Sequence, residues 1–180
     1  MKFKQWTLTK TGLVAGLTGL AAVTTMVTRI PIPATTGYFN IGDVFVIFAG
    51  LWLGPTAGLI VGAIGPTIAD LIGFPVFVPA TFVIKGSEGF FVGIIVGQVE
   101  ISNVPRRILA AIIGGIIIVA GYFIFEAIIY PKLGEFVPVF AITDIGAAIV
   151  EIIPNTIQAL VGAIGGFALW RAVSTVGPVR

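Results

Sequence analysis

The feature that most constrains this chain is a series of long stretches without a charged residue. Residues 11–28 form one stretch of 18 residues, and residues 44–69 form another of 26. A helix needs about 20 consecutive apolar residues to cross the hydrocarbon core of a bilayer. Only 10% of the residues are charged and the mean hydropathy is +1.12, whereas a soluble domain carries roughly 25% charged residues. The sequence therefore predicts a polytopic membrane protein.

The composition excludes several kinds of chemistry. The chain has no cysteine and no histidine, which excludes disulfides, thiolate nucleophiles, the usual zinc ligands and the commonest general base. It has no phosphate-binding loop of the form GxxxxGK[ST], so it is not expected to hydrolyse ATP itself. Its net charge is +2, and its basic residues lie at chain ends and loops rather than in a patch, so they do not indicate nucleic-acid binding. We predict that the chain is not an enzyme and needs neither a metal nor a cofactor.

We predict one domain over residues 1–180, an all-α bundle of six transmembrane helices. The helices are placed at about 9–28, 43–53, 56–73, 79–98, 107–130 and 144–171. The stretch 44–69 is divided at Gly54-Pro55, because a proline disfavours helix at the residue before it. The second and third helices are short for a bilayer, so one or both are expected to pack against neighbours. Residues 11–28 could instead form a signal peptide, but no clear cleavage site follows them.

The distribution of basic residues predicts the orientation. With six spans and a cytoplasmic N-terminus, seven basic residues lie inside: Lys2, Lys4, Lys10, Arg106, Arg107, Arg171 and Arg180. Only Arg29 and Lys132 then lie outside. Cytoplasmic loops carry an excess of lysine and arginine, and a five-span arrangement would give no such excess. The sequence therefore predicts that both termini are cytoplasmic and that the chain is a multi-pass protein of the cell membrane.

Ionisable residues concentrate toward the predicted outer half of the membrane. They are Asp43, Asp70, Lys85, Glu88, Glu126, Asp144 and Glu151. A charged residue in the middle of the membrane costs about 2.5–3.5 kcal/mol on insertion scales, and it usually faces a cavity or a partner. This asymmetry predicts a cavity that is open to the outside and closed at its floor.

Polar residues form a stripe along the last predicted helix. Asp144, Glu151, Asn155 and Gln158 follow one another at intervals of seven, four and three residues, which places them on one face. Pro154 lies within the stripe and is expected to kink the helix. The stripe could bind neighbouring helices together, or it could line a ligand site. We favour the site, because three buried polar side chains exceed what one helix contact needs.

Two other helices carry polar pairs. Lys85 and Glu88 are three residues apart, and Tyr122 and Glu126 are four apart, so each pair shares a helix face. For Lys85 and Glu88, mutual pairing and a ligand-binding role remain equally open.

Asp43 and Asp144 are each expected to cap a helix N-terminus. Asp70 ends a helix, where no such explanation applies.

Small residues recur at four-residue spacing on three helices, and on the last of them the pair is Gly162 and Gly166. Gly54, Gly58 and Gly62 are expected to pack within the bundle, since small residues let helices approach closely. On the first helix the same spacing joins Gly12 to Gly16 and Ala15 to Gly19. That helix has no polar edge toward a cavity, so its small face could dock the helix of a partner.

Several segments together resemble the substrate-binding (S) components of energy-coupling factor (ECF) transporters, closest to the hydroxymethylpyrimidine- and riboflavin-type branch. The segments are Ile30-Pro-Ile-Pro-Ala-Thr-Thr-Gly-Tyr-Phe-Asn-Ile-Gly-Asp43, Gly54-Pro-Thr-Ala-Gly58, Ala69-Asp70, Ile84-Lys-Gly86 with Glu88-Gly89, and Glu151-Ile-Ile-Pro-Asn155 with Gln158. They run in order over nearly the whole chain. The resemblance implies a six-helix fold that binds a vitamin or precursor near the outer face. It also implies partners, namely a transmembrane coupling subunit and two cytoplasmic ATPase subunits.

The resemblance also implies roles for individual residues. The docking positions of the first helix, often alanine in relatives, correspond to Ala15 and Gly19. For the substrate we predict hydroxymethylpyrimidine or a related B vitamin, with the loop 33–40 as a lid and Tyr38, Phe39 or Tyr122 stacking on the ring. The predicted substrate-binding residues are Tyr38, Asn40, Lys85, Glu88, Tyr122, Glu151, Asn155 and Gln158.

The sequence favours two other functions less. A self-sufficient, proton-coupled secondary transporter would use the buried carboxylates, but it would be supported by inverted repeats, and none is convincing. An intramembrane enzyme is disfavoured because facing helices carry no paired acidic motifs of the metal-binding type.

The orientation can be tested by labelling single cysteines, since the native chain has none. A cysteine at position 103 should react only with membrane-permeant reagents, and one at position 134 should react with impermeant reagents added outside. Equal labelling of position 103 from outside would contradict the six-span arrangement.

Overall fold

The computed structural model describes residues 7–32, 37–97, 103–141 and 144–174. Over these residues the chain is almost entirely helical, which confirms the predicted all-α bundle. The main helices are α1 (Leu8–Val27), α2 (Asp43–Leu53), α3 (Pro55–Gly73), α4 (Val78–Val96), α5 (Val104–Ile124) and α7 (Ile145–Val173). The shorter elements are the strands β1 (Ile30–Pro31) and β2 (Tyr38–Phe39), and the helix α6 (Tyr130–Gly134). All six predicted helices are present, and most ends differ from the prediction by three residues or fewer.

The predicted break at Gly54-Pro55 is confirmed. Gly54 has a φ of +92°, a conformation that glycine adopts at no steric cost. Pro55 then occupies the first position of α3, where its missing N–H would have had no helical partner. The chain therefore turns sharply between α2 and α3.

Helix α2 is too short to cross a bilayer. Its 11 residues span about 16 Å, against roughly 30 Å of hydrocarbon. Most of its residues are buried, and it packs against α3, α4 and α7. The expectation of a short, enclosed helix is thus correct for α2 but not for α3. Within the described residues, five helical segments are long and apolar enough to span: Leu8–Val27, Pro55–Gly73, Pro75–Val96, Val104–Gly134 and Ile145–Val173.

Glycines bring α3 and α4 into close contact. A Cβ on Gly58 would collide with the Gly89 carbonyl group, and one on Gly62 would collide with the Lys85 carbonyl group. Backbones can approach this closely only where side chains are absent. The prediction that the α3 glycines serve internal packing is confirmed.

Helix α1 presents its small residues outward. Ideal Cβ atoms on Gly12, Gly16 and Gly19 would meet nothing within 4 Å, and Ala15 is exposed. The buried face of α1 carries Val14, Leu17 and Ala21 instead.

Large apolar side chains cover much of the outer surface, as expected for a protein whose solvent is lipid. Examples are Ile112 and Ile116 on α5 and Ile153, Ile157 and Ile164 on α7.

Helix α5 continues through a π-helical turn, Phe125–Ile129, into α6. The amide of Tyr130 donates to the carbonyl of Phe125, five residues earlier. The next residue is Pro131, which has no N–H and whose ring would clash with a carbonyl one turn before it. The wider turn accommodates this proline, and Glu126 is buried within it.

The labelling site near the α6 end can be improved. A Cβ on Gly134 would lie 2.8 Å from the Cα of Ala141, so a cysteine there would be strained. The neighbouring Glu135 is exposed and is the better position for the label.

Candidate substrate-binding site

A small polar cavity lies where the β1–β2 segment meets the ends of α3, α4, α5 and α7. Its volume is about 20 Å³, enough for about one water molecule. The lining residues are Gly37, Tyr38, Asn40, Asp70, Phe77, Thr81, Tyr122, Glu126, Glu151, Asn155 and Gln158.

Six of the eight predicted substrate-binding residues line this cavity: Tyr38, Asn40, Tyr122, Glu151, Asn155 and Gln158. Lys85 and Glu88 are not among the lining residues. Of the lining residues that were not selected from sequence, Asp70 and Glu126 already stood out as acids of the outer half. Phe77 and Thr81 carried no signal in the sequence.

The strands β1 and β2 pair antiparallel, and Tyr38 of β2 lies in one wall of the cavity. Ile30 lies opposite Phe39, and Pro31 lies opposite Tyr38. Residues 33–36, which include half of the predicted lid, lie outside the described part of the chain.

Side chains satisfy the irregular backbone between β2 and α2. The Asn40 amide donates to Gln158 Oε1 at 2.9 Å, and the Ile41 amide donates to Thr28 Oγ1 at 3.1 Å. The Gly42 amide donates to Asn40 Oδ1 at 2.9 Å. Non-helical backbone at membrane depth is tolerated only where protein or a wet cavity satisfies it. These bonds meet that condition.

Asp70 organises one side of the cavity. Its carboxylate accepts hydrogen bonds from the Tyr38 hydroxyl group and, at 2.6 Å, from Thr81 Oγ1. Arg29 Nη2 lies 3.8 Å from Asp70 Oδ1, and the Arg29 guanidinium lies 5.1 Å from the centroid of the Tyr38 ring. Asp70 therefore joins the β2 wall to α3 and α4.

Two tyrosine hydroxyl groups in this network act as donors. The Tyr38 hydroxyl group donates to Asp70 Oδ1. The single hydroxyl proton of Thr81 goes to Asp70. The Tyr122 hydroxyl, 3.0 Å from Thr81 Oγ1, is therefore the donor in that bond.

A second network lies next to the cavity and contains Lys85. Its ammonium group forms a buried ion pair with Asp43 Oδ1. Gln158 Nε2 donates to the other oxygen, Asp43 Oδ2, at 2.8 Å. Gln158 Oε1 also accepts from Asn40 Nδ2 at 3.0 Å. The network thus runs from α4 through α2 to α7 and reaches the cavity at Gln158 and Asn40.

The capping expectation for Asp43 is wrong. The N-cap residue of α2 is Gly42, without a side-chain cap, because the Asp43 side chain turns inward to Lys85 and Gln158. For Asp144 the expectation is confirmed, since Asp144 Oδ1 accepts from the Ala147 amide at 2.8 Å.

Glu88 is fully buried and lies beside the Asp43 carboxyl group. Neither Glu88 oxygen has a hydrogen-bond partner among the described residues. The Lys85 ammonium group pairs with Asp43, and among the described residues no ion pair joins Lys85 to Glu88. Lys85 and Glu88, which are neighbours on α4, therefore do not form an ion pair with each other.

Helix α7 brings Glu151 and Asn155 to the cavity. Glu151 is buried and packs against Gly37, where a Cβ would come within 2.9 Å of the Glu151 carboxyl carbon. Asn155 is 6% exposed and lines the cavity one helical turn beyond Glu151. Glu126 lies close enough to Glu151 for the two carboxyl groups to interact electrostatically.

Comparison with known proteins identifies the family. The family model of the S component of ECF-type riboflavin transporters matches residues 4–175. The chain belongs to this family. It is therefore an S component, the substrate-binding subunit of an ECF transporter, and a multi-pass membrane protein rather than an enzyme.

Two relatives extend the comparison. An uncharacterized protein in the gap 3′ region of Pyrococcus woesei is 35% identical over 158 residues, which cover 87% of this S component and 97% of the relative. A solved structure of the S component of a bacterial ECF transporter superposes with a TM-score of 0.67 at 20% identity, over 93% of this chain and 96% of that one. The second likeness confirms the fold.

The buried ion pair can be tested by substitution. Lys85→Met should lower the free energy of unfolding by about 3–5 kcal/mol, because it leaves Asp43 buried without its counter-ion. The double variant Lys85→Met, Asp43→Asn should recover most of that loss. Thermal unfolding of the detergent-purified protein measures both effects.

The matched control is Lys132→Met, which removes an exposed lysine and should change the melting temperature little. A double variant no more stable than Lys85→Met alone would contradict the role of the pair.

Proposed function

We propose that this S component captures a small heteroaromatic vitamin or vitamin precursor, with hydroxymethylpyrimidine as the leading candidate, from the outer side of the cell membrane. The observation that carries the proposal is the cavity itself. It combines carboxyl and amide groups, which can bind the hydrogen-bonding edge of a ring, with aromatic side chains that can contact its face. Tyr38, Phe77 and Tyr122 supply these aromatic groups.

Ligand binding requires the cavity to enlarge. Its volume of about 20 Å³ is far below the roughly 300 Å³ of a small ligand pocket. The wall formed by Gly37, Tyr38 and Asn40 belongs to a two-residue strand and its flanks rather than to a helix. We infer that this wall moves outward on binding, while α4 and α7 stay in place through the Lys85–Asp43–Gln158 network.

Asn40 and Gln158 then serve two purposes, because they line the cavity and also belong to that network. Lys85 and Glu88 support the site from behind. The Lys85 ammonium group lies 5.8 Å from the centroid of the Tyr122 ring. Lys85 therefore lies next to a side chain that lines the cavity.

For transport, we propose that α1 docks against a transmembrane coupling subunit that is driven by two cytoplasmic ATPase subunits. The exposed face of Gly12, Ala15, Gly16 and Gly19 supports this proposal, since open space lies above its glycines. The sequence has no nucleotide-binding loop of its own.

The polar face of α7 provides a first test. Asn155→Ala and Glu151→Gln should each weaken binding of hydroxymethylpyrimidine about ten- to hundredfold, because each removes one partner of a buried hydrogen bond. The melting temperature of the free protein should stay close to that of the native protein. Isothermal titration calorimetry and thermal unfolding on the same samples measure the two quantities.

Thr156→Ala is the matched control, since Thr156 follows Asn155 on α7 but is exposed and donates to the Ile152 carbonyl group of its own helix. Glu100, which lies on the predicted cytoplasmic side, is also expected to tolerate alanine, and it lies outside the described residues. Unchanged affinity with a lowered melting temperature would mean that the α7 stripe holds helices together and binds no ligand.

The α1 face provides a second test. Ala15→Leu or Gly19→Leu should preserve ligand binding but abolish uptake and co-purification of the coupling and ATPase subunits, because the larger side chain would hold a partner helix away. Leu20→Phe is the control, as it adds bulk at an exposed position beside the small face.

Loss of binding together with uptake would mean that the face packs within the protein. Accumulation of the vitamin by the native chain alone in proteoliposomes would instead favour a self-sufficient transporter.

A further inference from the structure

A groove runs between α5 and α7 on the surface of the bundle. The two helices come into close contact at Gly115, where an added Cβ would lie 3.1 Å from the Cβ of Ala159. From this contact toward the start of α5 and the end of α7, small side chains leave a groove of about 780 Å³. Apart from Arg171 its lining is apolar, and it includes Ile112, Leu160, Ala163, Ile164, Phe167 and Ala168.

The groove has the length of one half of a bilayer. On α7 it extends from Leu160 to Arg171, which is about 16 Å along the helix axis. The hydrocarbon core of a bilayer is about 30 Å thick, so one leaflet contributes about 15 Å. A single hydrocarbon chain of that leaflet can therefore lie along the whole groove.

The groove ends at a positive charge. Arg171 is exposed in the last turn of α7 and lines the groove. It forms no ion pair with an acidic residue in the part of the chain that the structure describes. Basic sites between transmembrane helices at the membrane surface bind the head groups of anionic lipids. Arg171 is placed to bind such a group at the open end of the groove.

Two other arginines at this end of the bundle contact the protein itself. Arg106 donates to the Ile95 carbonyl group. The Arg107 guanidinium lies 4.6 Å from the centroid of the Trp170 ring. Neither residue is among those that line the groove. Charge complementarity within the groove therefore depends on Arg171.

We propose that this groove binds one anionic phospholipid of the adjoining leaflet. One hydrocarbon chain lies between α5 and α7, and the phosphate group accepts hydrogen bonds from the Arg171 guanidinium, whose planar fork can donate to two oxygens at once. Packing of the chain gives little preference for one lipid over another, because lipid tails are as apolar as the helix surface. Arg171 therefore determines the preference for an anionic head group.

The lipid site is independent of the proposed substrate. The groove shares no lining residue with the polar cavity and none with the small-residue face of α1. Its open end lies on the side of the membrane predicted to be cytoplasmic, where anionic lipids attract basic residues.

The test uses the full-length protein, purified in detergent and mixed with equal amounts of phosphatidylglycerol and phosphatidylcholine that carry the same chains. Native mass spectrometry counts the lipids that stay bound. We expect one phosphatidylglycerol per protein, retained about five- to tenfold more than phosphatidylcholine, which is the preference that one arginine at the membrane surface supplies.

Substitutions of arginine locate the head group. Arg171→Gln should lower retention of phosphatidylglycerol to the level of phosphatidylcholine, and Arg171→Lys should keep part of the preference, because lysine binds phosphate as a point charge. The matched control is Arg106→Gln. It removes the same charge from an exposed arginine at the same end but outside the groove, and it should leave the ratio unchanged.

A substitution that fills the groove locates the chain. Ala168→Trp should abolish retention of both lipids, since Ala168 is exposed and lines the groove. Ala120→Trp is the matched control, because Ala120 is an exposed alanine of α5 outside this lining. As both alanines are exposed, neither change should disturb the packing of the bundle.

Three results would overturn the proposal. Equal retention of the two lipids by the native protein would mean that ordinary bilayer lipid covers the groove. An equal loss of preference in Arg106→Gln and Arg171→Gln would mean that only the total charge matters. Displacement of phosphatidylglycerol by glycerol phosphate, which has no chains, would mean that Arg171 binds a soluble phosphate and that the groove contributes nothing.

Discussion

The buried ion pair between Lys85 and Asp43 is the interaction on which the rest of the structure depends. Moving two charges out of water costs several kcal/mol per ion, and only close geometry and further hydrogen bonds offset that cost. Here Gln158 donates to the second oxygen of Asp43, so that α2, α4 and α7 meet at one point. Since Asp43 is the first residue of α2, the pair sets the depth at which this helix begins.

The short α2 has consequences for the chain before it. A helix of 11 residues leaves part of the bilayer thickness to the β1–β2 segment, whose backbone must find hydrogen bonds without lipid or bulk water. Gln158, Thr28 and Asn40 supply them. The cavity lies beside this junction, and two of these side chains, Gln158 and Asn40, also line it.

The surfaces that we propose for binding and for docking are separate in this S component. The cavity draws on α3, α4, α5, α7 and the β2 wall, whereas the small-residue face of α1 points away from the bundle. On this proposal, we expect substitutions on the two surfaces to affect capture and transport independently. The π-helical turn that follows α5 contributes to the cavity, because it carries Glu126 to the cavity lining while accommodating Pro131.

The sequence by itself determined the membrane class, the six helices, the break at Gly54-Pro55 and most of the cavity lining. These follow from local rules: the length of apolar runs, the geometry of glycine and proline, and the spacing that places Glu151, Asn155 and Gln158 on one face. Only the tertiary structure decided how the charges combine. Asp43 lies 42 residues before Lys85 in the chain, whereas spacing along one helix could offer Lys85 only Glu88 as a partner. The position of Asp43 at a helix start likewise predicted a cap. Phe77 and Thr81 reach the cavity for the same reason, since packing between helices, rather than any local pattern, sets which side chains meet.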